Sequence, residues 1–337
     1  MKIIVLDTNI WLSELALMSP VGCAFSHYIT VSGFKMGLPE VVEKETKFHF
    51  RKNLLEYRLS VEKNYNRILA IFGKMKELVL PSDEDIEGKV EAIFDFHKDR
   101  IVRIPFDMQS ARSSFDKIIK KEPPNSEKNQ QFKDGVIWAN CVELAKTNDV
   151  ILVTKDSGFF KERKYEEGLA DNLSREAQKV PYEISIFTEL ADLLKEIRID
   201  FKLDEDQLTK LIEKETYDNV LKITERTEFN VGKLLNRRFE VFATTDPKEV
   251  SVKFFLKYDL ENLATELRVN AYAESRGEFL LNIENYNIGN FINQGEYVFW
   301  TNEDGEPKET KNVYGYANIR LGHKTIEHQV SYKLTEK

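Results

Sequence analysis

The chain has 337 residues, of which 42% are hydrophobic and 31% charged, and a formal net charge of −8; it is long enough for two domains with real cores and too acidic to coat nucleic acid through an excess of Lys and Arg. Two cysteines, Cys23 and Cys141, exclude a disulfide framework and a C-x-x-C zinc site. No stretch reaches the roughly 18 apolar residues of a membrane span, and the short apolar run at the start is too brief for a signal peptide, so the expectation is a protein of the reducing cytoplasm that contacts no membrane.

Residues 3–6 (Ile-Ile-Val-Leu) read as a strand buried on both faces of a parallel sheet. Residues 9–31 read as helical, with a break around Pro20 and Gly22. Pro39 opens the next helix at its first turn. Apolar spacings of three and four carry that helix through Leu54, Leu55, Leu59, Tyr65, Ile68, Leu69 and Phe72, and Pro81 ends it. Ser82 caps a further helix that bears Val90, Ile93, Phe94 and His97. A short strand at 101–105 follows, then a helix from about 107 to 121 that stops before Pro123-Pro124. Residues 125–131 read as a mobile polar loop and 132–147 as an amphipathic helix. Val150 to Thr154 is the second clear buried strand, followed by a helix near 169–179, a strand at 184–187 and a helix from Glu189 to Arg198. Strands alternating with helices predict βαβ units and a Rossmann-like parallel sheet, an α/β fold.

Near residue 200 the pattern changes. A charged helical linker at 201–228 leads into a region, 229–337, where apolar residues alternate with a period of two. Val250 to Tyr258, Leu267 to Ala273, Phe279 to Ile283, and runs at 296–301, 313–320 and 325–334 show it, with turns expected at Arg276-Gly277, Asn302 to Gly305 and Leu321 to His323. An antiparallel β domain of six or seven strands is expected there. Its aromatics Tyr286, Phe291, Tyr297, Phe299, Trp300, Tyr314 and Tyr316 suit base stacking if exposed, although alternating aromatics more often build a core. Dimerisation, partner binding and substrate choice are open roles for this domain.

Asp7 follows the first buried strand and Asp156 the second, and ligands of open α/β sheets bind beyond the carboxyl ends of strands. Two such carboxylates brought close repel unless a cation lies between them, and Mg²⁺ or Mn²⁺ suits an all-oxygen site. Each Asp alone is equally well read as a helix cap. Asp134 stands at the start of a helix, where the helix dipole also favours an acid. Glu45 lies in the opening turns of the long helix, with Glu40 and Glu43 as rivals. Basic clusters at Arg51-Lys52, Lys117 with Lys120-Lys121, and Lys161 with Arg163-Lys164 are candidate phosphate contacts, each read more simply as a solvated helix face. The five histidines show no metal-ligand spacing, and no Walker loop, G-x-G-x-x-G or G-x-S-x-G is present.

Four segments in order resemble PIN-domain proteins of a bacterial branch with a long helical insertion: Val5-Leu6-Asp7-Thr8-Asn9, Leu38-Pro39-Glu40-Val41-Val42 leading to Glu45, Lys133-Asp134-Gly135-Val136-Ile137-Trp138, and Val153-Thr154-Lys155-Asp156-Ser157-Gly158-Phe159. The resemblance covers residues 1 to about 198, within an expected first domain of 1–200. It implies a metal-dependent endonuclease acting on RNA ahead of DNA, as a toxin or defence effector. Asp7, Glu45, Asp134 and Asp156 match the family's acidic quartet. Thr8, Asn9 and Thr154 match its polar companions, which would hold the carboxylates in place. Asp7 and Asp156 would be the central ligands, Glu45 and Asp134 would hold a second ion or orient water, and Lys155 would be placed to meet phosphate. The stretch 46–100 is longer than in compact toxin-type members. A noncatalytic RNA- or protein-binding module on the same fold, and a DNA single-strand or flap nuclease, are the competing readings.

Overall fold

The computed structural model describes residues 1–126, 130–197, 204–263, 269–302, 306–312 and 316–318. They run β1 (Lys2–Leu6), α1 (Thr8–Ser13), α2 (Pro20–Ser32), β2 (Lys35–Pro39), α3 (Glu40–Phe72), α4 (Asp83–Glu91), β3 (Ile101–Ile104), α5 (Met108–Lys120), α6 (Phe132–Leu144), β4 (Asp149–Val153), α7 (Asp171–Ala177), β5 (Ile184–Phe187), α8 (Leu190–Leu193) and α9 (Glu205–Arg226). Then come β6 (Phe229–Ala243), β7 (Glu249–Asn262), β8 (Val269–Asn282), β9 (Ile288–Thr301), β10 (Pro307–Asn312) and β11 (Tyr316–Asn318). The chain divides into two units, residues 1–18 with 28–195, and residues 19–27 with 196–337. No described helix is long and apolar enough to cross a membrane.

The first unit is built on a five-stranded parallel sheet in the order β3-β2-β1-β4-β5. Continuous apolar runs make β1 and β4 its central strands, because both faces are covered: Ile4, Val5, Leu6, Leu152 and Val153 have no exposed surface. The chain builds outward from β1 to β2 and β3, then returns to β4 on the other side of β1. That reversal opens a crevice beyond the carboxyl ends of β1 and β4, the usual ligand address of such sheets. Trp11 of α1 packs edge-on against Phe94, ring centres 4.9 Å apart, and Trp138 of α6 is wholly buried.

Several expected boundaries move. The strand β2 lies where only a helix start was expected. Its Gly37 faces the side chains of Ile3 and Val5 at distances that leave no room for a Cβ, so its apolar pattern is interrupted. Pro39 is the residue before α3 and not its first turn. Gly73, at φ +75°, ends α3 eight residues before Pro81. Pro20 begins α2, and Gly22 lies inside it. Ser82 does cap α4, with Asp85 returning the bond in a capping box. Of the expected mobile loop, residues 127–129 lie outside the described residues.

The second unit holds an antiparallel sheet in the order β10-β9-β8-β7-β6, with β11 pairing the first half of β9. Arg276-Gly277 is not a turn: β8 runs through it, with a register shift there that absorbs the glycine. The strand β6 was not legible because bulges near Leu234 break its alternation. Leu208, Ile212, Val220 and Ile223 on one face of α9 pack on Val252, Phe254, Leu256, Tyr258, Phe279 and Val298 of the sheet. The expected runs at 319–337, with the turn at 321–323, lie outside the described residues.

Candidate active site

Asp7 leaves the sheet directly after β1, and its N–H bonds to the Val153 carbonyl at 3.0 Å, which ties it to the end of β4. It caps α1: one carboxylate oxygen accepts from the Thr8 N–H at 2.6 Å. The other accepts from Asn9 Nδ2 at 2.7 Å and from the Thr154 hydroxyl at 2.6 Å. Despite three donors, burial pushes the Asp7 carboxyl above the usual range, and the nearby charge of Asp156 adds to the rise.

Thr154 is the hub between the two strand ends. Its hydroxyl donates to Asp7 and accepts from the Asp156 N–H at 3.0 Å. Asn9 Oδ1 accepts from the Lys155 N–H at 3.2 Å. Asp156 in turn accepts from the Gly158 N–H at 2.6 Å and from the Gln131 side chain. Gly158 is required there, since a Cβ would stand 2.6 Å from the Pro124 carbonyl oxygen.

Asp134 sits in the first turn of α6. Gly135 beside it lets α6 lie against α5, since a Cβ would meet Ser114 Oγ at 2.3 Å. Burial, then the charges of Asp7 and Asp156, drive the Asp134 carboxyl far above the usual carboxylate range, and its protonated form donates to Asp156. The three acids are thus close enough to repel.

Glu45 projects from α3 to the same recess, where it accepts from the Thr8 hydroxyl at 2.9 Å and pairs with Lys133. His49, one turn on, stands 3.7 Å from Glu45. The rivals are engaged elsewhere: Glu40 accepts from the Phe106 N–H at 2.9 Å and pairs with Lys44, and Glu43 pairs with Lys47 and Arg103. The recess, about 540 Å³, is lined by all four acids together with Thr8, Asn9, Gln131, Phe132, Lys133 and His49.

Three residues depart from their sequence reading. His49 was grouped with ordinary histidines, and only its place one helical turn after Glu45 points to the site. Lys117, taken as a surface cation, is buried and paired with Glu176, whose other oxygen accepts from Trp138 Nε1 at 2.8 Å. Lys155, taken as a phosphate contact, directs its ammonium to Ser13 Oγ at 3.4 Å.

Whether a metal fits can be judged from the donors. They are all oxygen, they press on one another, and a divalent cation or a proton would relieve the same repulsion. As placed, no three His, Cys, Asp or Glu side chains among the described residues stand close enough to hold an ion. The donor chemistry therefore fits, and binding would require the carboxylates to turn away from Gln131 and Lys133 toward one another.

Residues 4–159 match the PIN domain family. No curated protein and no solved structure matches the chain. The family match, the parallel sheet and the acid-lined crevice at its strand reversal agree, and residues 4–159 are a PIN domain, a nuclease-type fold.

Proposed function

We propose that the chain is a divalent-metal-dependent endonuclease that hydrolyses phosphodiester bonds, RNA ahead of DNA, at the recess of Asp7, Glu45, Asp134 and Asp156. The observation that carries the reading is three mutually repelling carboxyls at the crevice between β1 and β4, with Asp7 almost wholly buried. Buried like charges are costly in a fold unless a counter-ion belongs with them.

A bound Mg²⁺ or Mn²⁺ would polarise the phosphate and lower the pKa of bound water. The chain's own residues supply the rest. Asp7 and Asp156 are the central ligands, and Thr154, Asn9 and the Thr8 N–H hold Asp7 in one orientation. Glu45 and Asp134 complete the oxygen set. Lys133 and His49, beside Glu45, are positioned to meet a phosphate once Glu45 turns toward the ion.

The test is cleavage of matched RNA and DNA oligonucleotides with Mn²⁺ by the wild-type chain and by Asp7→Asn. We expect RNA cleavage that falls at least about a hundredfold in the variant. Full activity of Asp7→Asn would overturn the site, and faster DNA cleavage would overturn the RNA preference. The toxin or defence role rests on the family resemblance; growth arrest on induced expression, relieved by Asp7→Asn, is its expected signature.

A further inference from the structure

The face of the antiparallel sheet opposite α9 carries rings and cations in register. Phe255 on β7, Tyr272 on β8, and Tyr297 and Phe299 on β9 alternate with core residues and are half-buried. Tyr272 stacks on Phe299 across the strands, ring centres 5.0 Å apart, and Tyr297 lies 6.3 Å from Phe299 with the rings 13° from parallel. The Lys257 ammonium stands 3.4 Å over the Tyr272 ring. The Arg276 guanidinium lies 4.9 Å from the Tyr297 ring centre and 5.6 Å from that of Phe255.

Acids are present on this face, but they lie beneath the cations. Arg276 pairs with Glu274, with 44% of the Arg side chain exposed against 8% of the Glu. Arg238 pairs with Glu240, at 66% against 11%. The outer groups are therefore guanidinium, ammonium and ring. Such a surface complements a ligand that is both polyanionic and rich in flat π faces, on a chain whose net charge of −8 gives no general attraction for one.

We propose that this face binds single-stranded nucleic acid, with Tyr272, Tyr297, Phe299 and Phe255 stacking on unpaired bases and Lys257, Arg276 and Arg238 meeting phosphates. A duplex hides its base faces in its own stack and offers such rings nothing. The proposal deepens the nuclease reading by naming an unpaired strand as what the chain holds, and it rests on that reading only for the link to cleavage.

The test uses the full chain carrying Asp7→Asn, in EDTA, with fluorescein-labelled oligouridine and oligothymidine of about 12 nucleotides and a matched duplex, read by anisotropy. Single strands are expected to bind at least about tenfold tighter than the duplex. Phe299→Leu and Tyr272→Leu keep apolar bulk but lose the ring, and each is expected to weaken binding about tenfold. Arg276→Gln should reduce the salt slope by about one. Should a ring variant unfold, Lys257→Gln, at a cation above the sheet, gives the same reading. Unchanged affinity in folded ring variants, or in Lys257→Gln, would overturn the proposal. So would self-association of the chain that Phe299→Leu abolishes in the absence of strand binding. Mn²⁺-dependent cleavage by the wild-type chain is scored separately: its absence with ring-dependent binding intact would sink the nuclease reading alone.

Discussion

The Thr154 hydroxyl donates to Asp7 at 2.6 Å and accepts from the Asp156 N–H at 3.0 Å, so one buried oxygen holds both strand-end acids. Thr154→Val keeps the shape and removes both bonds. The expected cost is about 1–3 kcal/mol of stability, because buried polar groups lose partners. A loss of about 10–100-fold in Mn²⁺ affinity is expected beside it. Denaturant melts and calorimetric Mn²⁺ titration measure the two separately, and unchanged Mn²⁺ affinity would remove Thr154 from the site. At this scale much could be read in advance. Asp7 and Asp156 were marked by their places after two apolar runs, and Asp134 by its motif. Glu45 could not be separated from Glu40 and Glu43 by spacing. What separates them is the direction each leaves α3: Glu45 reaches Thr8, while Glu40 and Glu43 reach Phe106 and Arg103. The contributions of Lys133, Gln131 and His49 depend on contacts across long sequence separations that no local pattern encodes.

The placement of α6 decides whether Asp134 reaches the crevice. Gly135 permits the close approach to α5, and Ser114 fastens it by donating to the Phe132 carbonyl at 2.6 Å. Gly135→Ala should push the helices apart and cost about 1–3 kcal/mol, the usual price of overpacking. Added Ser114→Gly should restore most of it, which thermal melts of the single and double variants would show. Lack of recovery would mean that the contact with Ser114 is not the obstacle. Elements with a strong, uninterrupted period were legible: β1, β4, α6 and the alternating strands β7 and β9. Those with an interrupting residue were not. A glycine packed against β1 hid β2, and two bulges hid β6. The Arg276-Gly277 pair mimicked a turn because its glycine sits at a register shift within a continuous strand.

Two buried titratable groups, one in each unit, give the molecule opposed pH responses. Burial, then the charge of Arg100, lowers His97 in the first unit to about 4 from its ordinary 6.5. Its neutral form is the folded one, so its contribution is complete above about pH 6.5 and is lost as pH falls toward 4. Burial raises Glu296 in the second unit to about 7, against the opposing bonds from Asn293 and Asn219. Its protonated form is favoured, so stability is complete below the ordinary 4.5 and is lost as pH rises through 7. Hydrogen exchange at pH 5 and pH 8 should show the first unit weaker in acid and the second weaker in base. His97→Leu should flatten the first trend and Glu296→Gln the second; trends that persist in both variants would show that other groups set them. The composition and periods of the chain were enough to establish an α/β unit followed by an antiparallel β unit, and the strand-end acids of the first. Local order is written in local spacing, which is why these were readable. The gathering of Glu45 and Asp134 beside Asp7 and Asp156, the burial that shifts His97 and Glu296, and the division of the second unit's aromatics between a core face and an outer face were decided by tertiary packing. Each depends on which distant residues share a surface, and that is set by strand order and register.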